Sequence, residues 1–318
     1  MPTLRNMEPD DIMQVNGIIS RAFTQGRMDD GYSFTKVPMC HTDFIRMYYH
    51  QNPDGCFVVE EFKTIRGGVF SHVWGKTGWI GPIAVAPEKH HFGFGKLLMK
   101  RSIDHLKAAG CTVIGLETNP RSSKNLGFYC SLGFEPHVLS LDLMKTVSSI
   151  KTPSQSPHDI VSYSGLLESD QENFISRIHT LCRTVAPLTD YQNLIKQVYD
   201  FKVGDAVLFI RRKVTIGAAI LQVKPSLAEE QNAMLRVLVF LAHPQTPDPY
   251  LVHFLNDLHD YAQAKSLNRI VIRVPMYSNQ MIHLLIHHGY RIINSDLRMT
   301  LTGYPEKKPE SLHLNRWV

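Results

Sequence analysis

Residues 83–98 read Ile83-Ala84-Val85-Ala86-Pro87-Glu88-Lys89-His90-His91-Phe92-Gly93-Phe94-Gly95-Lys96-Leu97-Leu98. Ile83 to Ala86 is an apolar run, and Pro87, which has no N–H, stops it. A loop with glycines at 93 and 95 follows. From Phe94 onward Leu98, Ile103, Leu106 and Ala109 recur at helical spacing, and Gly110 reads as the cap that ends the helix. The order is therefore strand, glycine-bearing loop, helix start. The first amides of a helix have no partner within it, and the helix dipole favours an anion there. Lys96 and Lys100 lie one turn apart near that end. In outline this is a cradle for a pyrophosphate. It lacks the Gly-Lys-Ser/Thr of a P-loop and the third glycine and acidic partner of a dinucleotide fingerprint. A tight strand-to-helix turn with no ligand fits the same residues.

Elements with ordinary α/β spacing lie on either side. Before the loop come a strand at Leu4 to Met7, a helix at about Asp10 to Phe23, and an irregular region over 24–55 with a helix near Thr42. A hairpin (Cys56 to Glu61, Ile65 to Trp74) and the strand Trp79 to Ala86 follow. After the helix come a buried strand at Thr112 to Leu116, a short helix at Ser123 to Leu132 and a strand at Glu135 to Met144. Residues 147–158 are polar and rich in Ser and Pro, as a linker is. Beyond them the same order returns. Shifted by about 156 residues, Gly133-Phe134 falls on Gly289-Tyr290, and Leu141 and Leu143 fall on Leu297 and Met299. A repeat on this scale predicts a duplicated α/β unit: residues 1–146, the linker 147–158, and residues 159–318. The fold class expected is α/β (α+β), two tandem domains, each a mixed twisted sheet flanked by helices.

A second stretch, Asn119-Pro120-Arg121-Ser122-Ser123-Lys124-Asn125-Leu126-Gly127-Phe128-Tyr129-Cys130-Ser131-Leu132-Gly133-Phe134, gives the first its context. Val-Ala-Pro-Glu-x4-Gly-x-Gly-x2-Leu followed about thirty residues later by Asn-x3-Tyr-x3-Gly-Phe resembles the GNAT N-acetyltransferase superfamily. The match is close over 56–145 and loose over 1–55. The resemblance implies an acyl-CoA-dependent N-acyltransferase that passes an acetyl group from acetyl-CoA to an amine by direct attack. A non-catalytic acyl-CoA sensor or interaction module is the alternative. It implies that the coenzyme's pantetheine arm lies along Ile83, Ala84 and Val85. Gly81-Pro82 fits a break in that strand. The pyrophosphate would meet His90, His91, Phe92, Gly93, Phe94, Gly95 and Lys96. His90 stands where the family has Gln or Arg, and so either donates a ring N–H or is a solvated loop residue. Asn125 would contact the coenzyme arm, and Tyr129 would protonate the leaving thiolate, as a phenol can at neutral pH; packing in the core is the other reading of Tyr129. Glu117 and His72 are candidate bases by position alone. Cys130 has no expected base partner.

The second half has Pro247-Asp248-Pro249-Tyr250 in place of Gly-x-Gly, and Leu285 falls where Tyr129 does. This half is expected to have lost the coenzyme and to serve as scaffold or substrate wall. His283 and His287 share a helical face but lack the Glu of a zinc motif, so surface histidines are expected and no metal. The tail Leu312-His313-Leu314-Asn315-Arg316-Trp317-Val318 ends apolar and is expected to dock on a domain or in the active-site cleft.

Composition bounds the rest. The chain of 318 residues is 43% hydrophobic and 20% charged, with a net charge of +5, enough apolar material for two domains. Its basic residues are scattered rather than gathered in a stripe with aromatics, which argues against nucleic acid. Arg211-Arg212-Lys213 reads as a hairpin turn. No apolar run approaches the ~20 residues of a membrane span, and Met1 to Glu8 contains no signal-peptide core. Five cysteines, at 40, 56, 111, 130 and 182, form no CxxC pair, so a reducing, cytoplasmic setting is expected. The partner expected is a small-molecule or peptide amine acceptor. The acceptor's identity and the oligomeric state are not legible.

Overall fold

The computed structural model describes residues 2–33, 36–148, 156–228 and 233–317. Most of the expected linker, residues 149–155, lies outside the described residues, as does Val318.

The first half runs β1 (Thr3–Asn6), α1 (Ile12–Asp29), α2 (Thr42–Gln51), β2 (Phe57–Glu61), β3 (Thr64–Trp74), β4 (Thr77–Val85), α3 (Phe94–Ala108), β5 (Val113–Thr118), α4 (Ser123–Ser131) and β6 (Phe134–Thr146). The second half repeats the order with β7 (Asp159–Ser162), α5 (Glu168–Val185), α6 (Gln192–Asp200), β8 (Gly204–Arg211), β9 (Val214–Gln222), β10 (Met234–Ala242), α7 (Asp248–Ala264), β11 (Arg269–Pro275), α8 (Asn279–His287) and β12 (Arg291–Leu301). A short strand, β13 (His313–Asn315), follows. The sequence places the end of α1 too early. The helix runs on to Asp29 through Gly26, a weak helix former, because Gln25 Nε2 donates to Asp29 Oδ1 at 2.8 Å one turn later. The turn at Arg212 and Lys213 is as expected, both at positive φ.

All the strands join one sheet in the order β1-β2-β3-β4-β5-β12-β6-β11-β10-β9-β8-β7, with β13 added on β10. Two pairs are parallel, β4 with β5 and β10 with β11. The sequence does not show how the halves join: β12, from the second half, lies between β5 and β6 of the first. The register is nearly symmetric about Asp296↔Ser140, with Leu297↔Leu139 and Ser295↔Leu141 on either side. Glu117↔Arg298 and Asp142↔Arg273 are the matching pairs further out.

Those four charged residues, with Asp296 and Arg316, form a buried network. Arg273 donates to Asp142 at 2.8 Å through both Nε and Nη2, to Asp296 at 2.5 Å, and to Glu117. Arg298 donates to Glu117 at 2.8 Å and to Glu306 at 2.8 Å, and Arg316 donates to Asp142 at 2.8 Å. Burial alone would raise the carboxyls of Glu117 and Asp142. The guanidiniums outweigh it and hold both below their ordinary range. Asp296 is raised, because burial exceeds what Arg273 returns.

In the first half α1 and α2 cover one face of the sheet over Phe70, Trp79 and Val113, and α3 and α4 cover the other over Phe57, Val59, Ile114 and Leu116. The core under α1 and α2 continues beneath α5 and α6 of the second half. No helix among the described residues is long and apolar enough to cross a membrane.

Candidate active site

β4 and β5 pair only over Thr77–Trp79 and Val113–Gly115, then part. Next to the split, β4 is irregular: its register with β3 shifts between Val69 and Ser71, around Gly81-Pro82. The expected break at the proline is present. Beyond it β4 still pairs with β3, Ile83 with Val69 and Ala84 with Gly68. Its other edge, over Gly81 to Val85, has no strand partner among the described residues. Ile83 and Val85 turn their side chains toward α3, and Ala84 turns toward α1, so backbone is what this edge offers a ligand.

The edge leads into the loop before α3. His90 N–H bonds to Pro87 O and Leu97 N–H to Gly93 O. Between them the amides of His91, Phe92, Gly93, Phe94, Gly95 and Lys96 have no acceptor among the described residues. Gly93 caps the helix at φ +82°, a conformation open to glycine at little cost. His91 is also left-handed, at φ +68°. Phe92 is 64% exposed, whereas Phe94 packs in the core, leaving only its amide for a ligand. Lys96 is exposed. A Cβ on Gly95 would lie 3.3 Å from the Phe128 ring, so this glycine lets α3 and α4 approach closely.

His90 is half-buried and tied to the backbone. Its Nε2–H donates to Val85 O at 3.1 Å, and Nδ1 accepts from Lys124 Nζ at 3.4 Å. Lys124 also reaches Asp29 at 3.1 Å. This chain of contacts ties the end of α1 and the start of α4 to the loop after β4. Beside it Asn119 Nδ2 donates to the Tyr32 hydroxyl at 3.2 Å, and the guanidiniums of Arg27 and Arg121 lie 5.4 and 4.8 Å from the Tyr32 ring centre. Thus Arg27, Asp30 and Tyr32, from the region the sequence leaves irregular, assemble at the end of β5.

Tyr129 is 8% exposed, among Ile80, Phe94 and Phe134. Burial pushes its phenol up to about 12, and its hydroxyl has no protein hydrogen-bond partner among the described residues. Asn125, one turn earlier, is exposed. The two positional base candidates are both committed. His72 is fully buried, stacked on Trp79 at 3.8 Å, and donates Nε2–H to Gly81 O at 2.9 Å. Its Nδ1 meets the Gln51 side-chain amide at 3.0 Å, and burial pushes its pKa down to about 3. Glu117 is held by Arg273, Arg298 and the Ser140 hydroxyl. Opposite charges at 117 and 273, and at 142 and 298, each pair at the repeat spacing and each inside an apolar strand, were the available signal for that network.

In the second half β10 and β11 also part, after Val237 and Ile272, but β13 pairs with β10 over Val239–Leu241. The docking expected of the tail is present. At the start of α7, Pro247 and Pro249 supply no amide, and the amides of Thr246 and Tyr250 are bound to His243 O and Pro247 O. His283 and His287 are exposed, and no metal-holding group of three His, Cys, Asp or Glu occurs among the described residues.

Residues 23–134 match the Acetyltransferase (GNAT) family model. No curated protein matches the sequence significantly. Among solved structures, a GCN5-related N-acetyltransferase from Sphaerobacter thermophilus superposes with a TM-score of 0.63 at 10% identity, over 98% of each chain. A tandem GNAT protein from the clavulanic acid biosynthesis pathway gives 0.61 at 10% identity, over 96% of this chain and all 100% of that one. A GCN5-related N-acetyltransferase from Anabaena variabilis gives 0.58 at 13% identity, over 94% and 72%. Residues 23–134 thus carry the GNAT acetyltransferase family's pattern, and the chain as a whole has the fold of tandem GNAT proteins.

Proposed function

We propose that the first half is an acyl-CoA-dependent N-acyltransferase and the second half a partner domain without coenzyme. One observation carries this reading: the edge of β4 over Gly81 to Val85, uncovered among the described residues, runs directly into six amides, over residues 91–96, that have no acceptor among those residues. An extended amide-bearing arm that ends in a pyrophosphate matches both parts. The pantetheine would pair with the backbone of Ile83, Ala84 and Val85. The pyrophosphate would sit on the cradle from His91 to Lys96, with Lys96 beside it. His90 serves here by fixing the loop to Val85 rather than by touching phosphate.

Transfer of acetyl to an amine needs a neutral amine, a stabilised carbonyl oxygen and a protonated leaving thiolate. Tyr129, held protonated by burial, is the acid for the thiolate. Asn125, exposed one turn before Tyr129, would bond the arm. His72 and Glu117 are both engaged, so the amine's proton leaves through water. Much of the rate would come from holding the two substrates together in a ternary complex. The acceptor, a small-molecule or peptide amine, would approach from the side of α1 and α2, past Tyr32.

Calorimetric titration with acetyl-CoA tests this. One site per chain is expected, lost in Gly95→Asp, where a carboxylate meets the cradle. No binding at millimolar ligand would sink the reading, and two sites would mean that the second half also binds.

A further inference from the structure

The partial strand β13 has a placement that the acyltransferase reading leaves unused. Trp79 and Arg236 hold the same place in the two parallel pairs, opposite Gly115 and Val271. Val239, Phe240 and Leu241 of β10 therefore stand where Pro82, Ile83 and Ala84 stand in β4. Asn315, Leu314 and His313 pair with those three residues, antiparallel. The ladder extends on both sides, from Ala242 N–H to Leu312 O at 3.1 Å and from Arg316 N–H to Leu238 O at 3.0 Å. We infer that the cleft of the second half is a receptor for an extended peptide, occupied by the chain's own residues 312–316, at the place where the first half offers an open strand edge.

Side chains fix the occupant. Leu314 is 2% exposed in the core of the second half. His313 Nε2 and the Tyr191 hydroxyl share a 2.7 Å hydrogen bond, and Asn315 Nδ2 donates to the same hydroxyl at 3.3 Å. Arg298 donates to the Asn315 side-chain and backbone oxygens, both at 3.0 Å. The edge of β10 from Leu238 to Ala242 is thus paired with peptide backbone.

The strand also delivers Trp317 to the other half. A Cβ on Gly115 would lie 2.3 Å from the Trp317 ring, so the indole fills the space this glycine leaves. Arg298 covers the ring at 4.1 Å from its centre. Gly115 is the last β5 residue paired with β4 before the strands part. Trp317 is therefore a positioning residue that sets the vertex of the first half's cleft. This second step rests on the coenzyme reading above; the peptide receptor does not.

The test uses the full chain and a chain ending at Lys308, which keeps the Glu306–Arg298 pair, with a fluorophore-labelled peptide of residues 309–318. The peptide is expected to bind the shortened chain one to one and the full chain not at all, and a peptide carrying Leu314→Asp to bind at least tenfold more weakly. A folded shortened chain that ignores the peptide overturns the receptor. In the full chain, Trp317→Ala is expected to raise the KM for acetyl-CoA at least fivefold with kcat within twofold, and Trp317→Phe to restore most of it. An unchanged KM in Trp317→Ala overturns the positioning role, whether or not the shortened chain folds. If acetyl-CoA binds nowhere, the coenzyme reading falls and the peptide result still decides the receptor.

Discussion

Arg273→Met removes a guanidinium that meets three carboxylates, Glu117, Asp142 and Asp296, while keeping the apolar stem of the side chain. Arg273 is 2% exposed. Breaking a buried ion pair from one side costs about 3–5 kcal/mol, because the remaining charge stays buried. Here Arg298 still holds Glu117 and Arg316 still holds Asp142, each at 2.8 Å, whereas among the described residues Asp296 keeps a hydrogen bond from Asn294 alone, at 3.3 Å. The low end, about 3 kcal/mol, is therefore expected at pH 7.5. In the wild type the depressed carboxyls of Glu117 and Asp142 stabilise the fold fully above their unfolded values of about 4, and this is lost as pH falls through their lower folded values. Asp296, already raised by burial, loses in the variant the guanidinium that opposes that rise, so the variant takes up a proton there at higher pH than the wild type and its deficit shrinks on acidification. Urea unfolding of both proteins at pH 7.5 and 5.5 measures this. A loss below about 1 kcal/mol at pH 7.5, or a deficit equal at the two pH values, would refute the reasoning.

Three further outcomes are expected. Tyr129→Phe lowers kcat about 100-fold with the KM for acetyl-CoA within threefold and stability nearly unchanged, since the hydroxyl has no protein partner; steady-state kinetics at saturating amine reads this, and an unchanged kcat removes Tyr129 as the acid. His72 and His313, both pushed down to about 3 by burial, stay neutral in the fold while the unfolded chain protonates near 6.5. Stability is then full above that value and falls by about 2.7 kcal/mol per pH unit from the two together between pH 6 and 4. His313→Asn should halve that slope, and an unaltered slope in urea titrations would contradict the neutral buried state. Gly95→Asp should lower the melting temperature by a few degrees, because its Cβ would lie 3.3 Å from the Phe128 ring and that partly buried ring must shift, while abolishing acetyl-CoA binding by calorimetry in the folded variant.

Local pattern carries much of this molecule. The strand, loop and helix at 83–98, the hairpins and the repeated order of elements all follow from spacing and from Gly and Pro. So does the docking of the tail, because a Trp rarely frays. Pairing between distant strands leaves no such local mark: β12 reads the same whether it closes its own half or inserts beside β5. Burial of polar side chains was equally hidden. His72 looked like an available base because its position is known from the chain, whereas its stacking on Trp79 and its bond to Gly81 depend on the folded bulge. The sequence leaves His90 as either a ring N–H donor or a solvated loop residue, and its bond to Val85 O depends on the folded loop.

The near-symmetric register about Ser140 and Asp296 has a consequence for assembly. An interface of this kind between two identical subunits brings each residue's copy to the matching place, so a favourable Glu–Arg pairing at one position has to be supplied by two different positions of one subunit. Here the first half contributes Glu117 and Asp142, and the second contributes Arg273 and Arg298 at the matching places. First half against first half would bury acid on acid, and second against second would bury guanidinium on guanidinium. Two halves of one polypeptide can carry opposite signs at matching places, and that opposition makes each half selective for the other and hostile to a second copy of itself.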